Sequence, residues 1–192
     1  MQVAILFVVA FAFACAIQLP ERYVFSFKDV QQATDCIIKV DNTMDGNGRA
    51  TLSFVDEIQD TTAFWTDISL ESSLMEVVMQ VQRRTFCYSS KSAFPLANSN
   101  LNNYENQGEI EFQGKQVSVY VNKEAASGSE VLYFDSNNGF LVAMGKFDDE
   151  GEIVMDAIVT EFTIVDSFDR SELVRPQDVV CSPMSSYLQN FM

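Results

Sequence analysis

Glu130-Val131-Leu132-Tyr133-Phe134, then Asp135-Ser136-Asn137-Asn138-Gly139, then Phe140-Leu141-Val142-Ala143-Met144 is the stretch that decides the fold. Two runs of apolar, β-branched and aromatic residues flank a polar turn, and its Asn-Gly supplies the positive φ that a tight hairpin requires. A second hairpin follows at once: Met144 to Phe147 turns at Asp148-Asp149-Glu150-Gly151 and returns as a long strand from Glu152 to about Val165. Upstream the pattern repeats. Tyr23-Val24-Phe25-Ser26-Phe27 precedes Cys36-Ile37-Ile38-Lys39-Val40, and the turn Asp45-Gly46-Asn47-Gly48 leads to Thr51-Leu52-Ser53-Phe54-Val55. Short strands with turn signals every eight to twelve residues indicate an all-β fold, or a β-rich α+β one.

One segment admits two readings. Ser73-Leu74-Met75-Glu76 resembles a helix capping box, and Leu74, Val77, Val78 and Val81 fall at helical spacing. Yet Met75, Val77, Met79 and Val81 also alternate with a mostly polar set, and the three valines favour a half-buried strand. From Ser89 to Gly108 the chain is rich in Ser and Asn and reads as a long loop.

The 192 residues suit one domain with a sizeable core. Twelve Lys+Arg against 27 Asp+Glu leave a net charge of −15, which argues against nucleic acid or anionic lipid headgroups as partners, since both require a basic face. No histidine is present, so every Ser-His, Cys-His and His-ligated metal mechanism is excluded. Residues 1–16, MQVAILFVVAFAFACA, are uncharged and end in Ala14-Cys15-Ala16, a small-x-small pattern that predicts a signal peptide cut after Ala16 and a secreted protein. The apolar run falls short of the roughly 20 residues of a spanning helix, so no transmembrane segment is expected in the mature chain. A lipoprotein-type Cys15 is the minor alternative, with Ala12 where such a box places Leu.

Cys36, Cys87 and Cys181 remain after cleavage. In an oxidising compartment two of them should pair, and the sequence alone allows three pairings. The odd thiol is then either buried or a link to a second copy, giving a homodimer. No CxxC spacing supports zinc or redox chemistry.

Several segments in order resemble the ependymin-related family of secreted proteins with a LolA-like fold. These are Gly48-Arg49-Ala50-Thr51-Leu52, the apolar segment Met75 to Val81 leading to Thr85-Phe86-Cys87-Tyr88, and Gly114-Lys115-Gln116-Val117-Ser118-Val119-Tyr120. The hairpin from Val131 to Met144 follows. Phe162-Thr163-Ile164-Val165-Asp166, Leu173-Val174-Arg175-Pro176 and Cys181 close the series. The likeness runs from about residue 34 to 181. It implies a strongly curved antiparallel sheet, a half-barrel whose concave apolar face can hold a hydrophobic ligand, and a disulfide between Cys87 and Cys181. Cys36 is then the unpaired thiol. The domain would span 17–181, with 182–192 as a C-terminal tail.

On this reading the protein is a secreted, non-enzymatic binder of a lipid or other hydrophobic small molecule and needs no cofactor. Alternating residues share a strand face, so Val117, Val119 and Val121 form one candidate ligand-binding set and Met75, Val77, Met79 and Val81 another, both expected toward the concavity. Phenylalanine supports such a surface: there are sixteen, three of them in the signal segment. The alternative is an extracellular, calcium-binding structural or adhesion protein. Asp148, Asp149 and Glu150 are its candidate ligands. Asp41 to Asn47 mimics the first half of an EF-hand loop, but position 12 is Leu52 and the flanks are strand-like, so a hairpin turn explains it better. A carboxylate-dependent hydrolase is a weaker third reading, because nothing selects two carboxylates from the many. Phe64-Trp65 marks either core or a pocket rim. Arg83-Arg84 is an isolated basic spot with acids nearby to pair it.

Overall fold

In a computed structural model of the chain, the described residues are 19–31, 34–46, 48–54, 61–69, 74–81, 84–91, 101–123, 130–175 and 177–183. Residues 1–18, and with them the expected signal peptide and Cys15, lie outside these, as do Arg83 and the tail from residue 184. Twelve strands are assigned among the described residues: β1 (Arg22–Asp29), β2 (Asp35–Asp41), β3 (Arg49–Phe54), β4 (Thr61–Ser69), β5 (Leu74–Val81), β6 (Arg84–Lys91), β7 (Glu105–Phe112), β8 (Lys115–Asn122), β9 (Glu130–Asp135), β10 (Leu141–Phe147), β11 (Ile153–Ile164) and β12 (Ser182–Pro183). They form one sheet in the order β12-β6-β5-β4-β3-β2-β1-β11-β10-β9-β8-β7. All neighbours are antiparallel except β12, which runs parallel to β6. Its two ends are β12 and β7, so the sheet is open, as the half-barrel expectation required.

Two antiparallel meanders, β1 to β6 and β7 to β11, are joined where β1 pairs with β11. Both expected hairpins form. At Gly139 φ is +73°, and its N–H donates to Asp135 O at 2.8 Å. Gly145 sits at a bulge against β11, where a Cβ would come within 2.7 Å of Val154 O, so only glycine allows that approach. The segment with two readings is a strand, β5.

Two expectations need correction. The loop predicted from Ser89 to Gly108 contains the start of β7 at Glu105, joined to β8 by the two-residue turn Gln113-Gly114 with φ of +50° and +76°. β4 also forms over a stretch that the sequence did not mark as a strand. The EF-hand-like stretch is a β2–β3 turn, as expected. Asp41 Oδ1 accepts from Thr43 N at 2.8 Å, Thr43 Oγ1 at 2.7 Å and Met44 N at 3.0 Å, while Oδ2 accepts from Arg22 Nε at 3.0 Å. Burial works to raise its pKa, and these hydrogen bonds outweigh it, holding the carboxyl below the usual carboxylate range.

Candidate functional site: an aromatic sheet face

β1 carries Tyr23, Phe25 and Phe27 at period two, so the three rings share one face. Register then fixes which other residues join them. Tyr23 lies opposite Val40, Phe25 opposite Ile38, and on the other side Phe25 lies opposite Phe162 of β11. Phe162 is the hub of the ring series: its centroid lies 4.7 Å from Phe140, 5.1 Å from Tyr23 and 6.1 Å from Phe25. Phe25 reaches on to Phe27 at 5.8 Å. Leu132, Phe134 and Leu141 extend this cluster across β9 and β10, and Leu19, Leu101 and Tyr104 pack onto it from outside the sheet. Tyr23 and Phe25 are fully buried. Burial raises the Tyr23 phenol above its ordinary pKa, so it stays neutral. No buried member of the cluster is charged.

Polar groups gather at one end of this face. The Tyr104 hydroxyl donates to Glu130 Oε2 at 2.5 Å, next to the buried Asn122. Burial and then Glu130 push the Tyr104 phenol upward. Cys36, at the far end of β2, is a free thiol and buried, as expected of the odd cysteine; burial, Asp29 and Asp35 push its pKa up to about 11.

The two valine- and methionine-rich sets do not come together. Tyr120 lies opposite Leu132, Leu132 opposite Met144, Met144 opposite Ala157 and Ala157 opposite Asp29, which has the same parity as Phe25 and Phe27. Val117, Val119 and Val121 therefore lie on the other face. They are buried there in a second cluster with Val131, Tyr133, Val142 and Ala143. The other set traces differently: Met75 lies opposite Ile68, Ile68 opposite Ala50, Ala50 opposite Val40 and Val40 opposite Tyr23. By register Met75, Val77, Met79 and Val81 share the aromatic face, although their side chains, like those of Phe64 and Trp65, are outside the described ones. The expectation of a single shared face is corrected. Each alternation within a strand was right, but the faces are set by pairings far apart in sequence.

The face opposite the rings is crossed by a C-terminal strap. Asp169 caps a 3-10 turn, Arg170–Glu172, accepting from Ser171 N at 2.9 Å. Glu172 Oε2 accepts from Lys39 Nζ at 2.6 Å, Arg170 pairs with Asp45, and Leu173 is fully buried. Arg175 Nε donates to Glu76 Oε2 at 2.5 Å. The strap ends in the Cys87–Cys181 disulfide, the pairing implied by the resemblance.

The acidic turn offers a less open site than its composition suggested. Asp148 Oδ1 accepts from Glu150 N at 3.1 Å and Glu152 N at 2.8 Å. Among the described residues no group of three or more His, Cys, Asp or Glu side chains is placed to hold a metal ion. No helix among them is long and apolar enough to cross a membrane.

No family model matches the sequence, and no curated protein does. Among solved structures, the chain is similar to an uncharacterized conserved protein from Thermus thermophilus, with 13% identity over 86% of this chain and 92% of that one and a TM-score of 0.55. It overlaps less closely with a putative outer membrane lipoprotein-sorting protein domain from Vibrio parahaemolyticus (10% identity, 79% and 87% of the two chains, TM-score 0.44). A further match is to the Pseudomonas aeruginosa MucA/MucB complex (16% identity, 81% of this chain, TM-score 0.41), where this chain spans 56% of the length of its counterpart. At such identities the first likeness establishes a shared fold and the other two add nothing to it.

Tyr23 to Phe27 is expected as a strand from the sequence, without a ligand-binding role. Its signal was present: three aromatics at period two, which is more ring surface than the outer wall of a half-exposed strand needs.

Proposed function

We propose that this is a secreted, non-enzymatic protein of the ependymin-related, LolA-like kind that holds a lipid or another hydrophobic molecule against the aromatic face of its open sheet. The observation that carries this reading is the half-exposed set Phe27, Phe140 and Phe162, which stacks with the buried Tyr23 and Phe25 on two adjacent strands where the two meanders join. Aromatic and aliphatic walls with few polar groups, here Tyr104, Glu130 and Asn122 at one end, are the usual lining of a site for apolar ligands. Register extends this face along β5, on the parity of Met75, Val77, Met79 and Val81. Val117, Val119 and Val121 are assigned to packing on the other face instead.

Native mass spectrometry of the mature protein, purified without detergent, tests the reading. Co-purifying mass that corresponds to acyl chains supports it. Added mass that depends only on calcium favours the structural, calcium-binding alternative. A bare chain that also fails to take up a fluorescent fatty-acid analogue overturns the proposal.

A further inference from the structure

β7 is one end of the sheet, and seven of its eight residues are exposed. Glu105, Glu109 and Glu111 lie along it, and among the described residues none of them forms an ion pair. Asp41, Asp45, Glu76, Asp156 and Glu172 by contrast are each held by Arg or Lys. Among the described residues, the one side-chain contact of these three glutamates is a 3.5 Å hydrogen bond that Glu109 Oε2 accepts from Gln116 Nε2. A bulge interrupts the strand between Asn106 and Gly108, and the five residues from Gly108 to Phe112 then pair regularly with Val119 to Lys115. Glu109 and Glu111 share one face of that stretch. Ile110 lies between them on the other face and is 45% exposed.

An edge strand leaves alternate N–H and C=O groups without a partner, and they can template a further strand. The same glutamates repel a second copy of this chain, because each copy would bring like charges to the shared edge and carries −15 overall. Charge complementarity therefore selects the occupant. We infer that the β7 edge is a docking site for an extended segment of a partner protein, added as a new strand, with Lys or Arg at alternate positions against Glu109 and Glu111 and an apolar residue against Ile110. The inference is independent of the ligand reading, since β7 carries no member of the aromatic cluster.

The test uses the full chain and an acetylated peptide of alternating lysine and valine. Binding is measured at low and physiological salt, together with hydrogen exchange over residues 108–112. The expected result is saturable binding, weakened by salt, that slows exchange of outward amides in β7. Glu109→Gln with Glu111→Gln should weaken it about fivefold or more, the scale of two cross-strand charge pairs. Asp148→Asn, Asp149→Asn and Glu150→Gln together remove three charges elsewhere and should change it less than about twofold on the same scale. Three results would each overturn the proposal: no binding at low salt, equal losses in the two sets of variants, or undiminished binding of the same peptide methylated on every backbone nitrogen, which marks attraction to net charge alone.

Discussion

Replacing both Cys87 and Cys181 with alanine should destabilise the protein without altering its folded state. The bond joins residues 94 apart and ties the strap to β6, near the end of the sheet farthest from the aromatic cluster. In the chain-entropy model, a loop of that length restricts the unfolded ensemble by an amount worth about 4.7 kcal/mol at 25 °C, and measured losses for such bonds cluster at about 2–4 kcal/mol. Against a total stability of about 5–15 kcal/mol this is a large fraction. Alanine is the right replacement because Cys87 is buried beside Val78, where a serine hydroxyl would add a desolvation cost of its own. The assay is urea unfolding followed by near-ultraviolet circular dichroism, with the oxidised parent as reference. A fall in the midpoint with an unchanged native spectrum is the expected outcome, and hydrogen exchange should quicken first in β5 and β6. A loss below about 1 kcal/mol would refute the reasoning: the ion pairs Lys39–Glu172 and Arg175–Glu76 would then hold the strap without the cross-link, despite the small contribution usual for half-exposed pairs.

Phe162→Leu keeps an apolar side chain but removes the ring that touches Tyr23, Phe25 and Phe140; it should cost about 1–3 kcal/mol and weaken a fluorescent fatty-acid analogue several-fold, read by thermal melting and titration. Val119→Ala should cost about 1–3 kcal/mol of stability and leave that titration unchanged, because Val119 is buried on the opposite face. Asp41 has its pKa lowered in the folded protein, so its contribution is present at neutral pH and is lost as the pH falls from the ordinary value of 3.8 through the lower folded one. Asp41→Asn should accordingly flatten the acid limb of a stability–pH profile, with the neutral-pH midpoint lowered, since the amide cannot replace the ion pair to Arg22.

What the sequence made legible follows a physical division. Strands that bury one face and close through a good turn announced themselves: the hairpin at Asn138-Gly139, the alternation of β8 and β5, and the apolar run of β2. β7 did not, because an edge strand has little surface to bury and its residues Glu105 to Phe112 show no apolar period. Its turn, Gln113-Gly114, uses glutamine at positive φ where asparagine is the familiar signal. The aromatic site was half legible. Tyr23, Phe25 and Phe27 alternate in plain view, but Phe162, the residue at the centre of the series, joins them only through the pairing of β1 with the distant β11.

The misplaced valines have the same origin and lead one step further. Alternation gives the parity of a strand, and parity becomes a face only through an unbroken series of registers. Here the series from β8 to β1 passes bulges at Leu141/Ala143, Met144/Gly145 and Ser26/Phe27, each of which inserts an unpaired residue. One face of β8–β10 then closes on itself as the valine cluster, while the other continues into the rings. The strap covers the same face as the valine cluster, on β2, β3 and β5, and the ion pairs Lys39–Glu172 and Arg175–Glu76 and the disulfide fix it there. A crosslink and charges on the side away from the Phe162 series can stiffen the open sheet without intruding on that aromatic face. A ligand bound to that surface would therefore meet side chains whose positions are set from behind, and releasing the strap should change stability far more than it changes affinity.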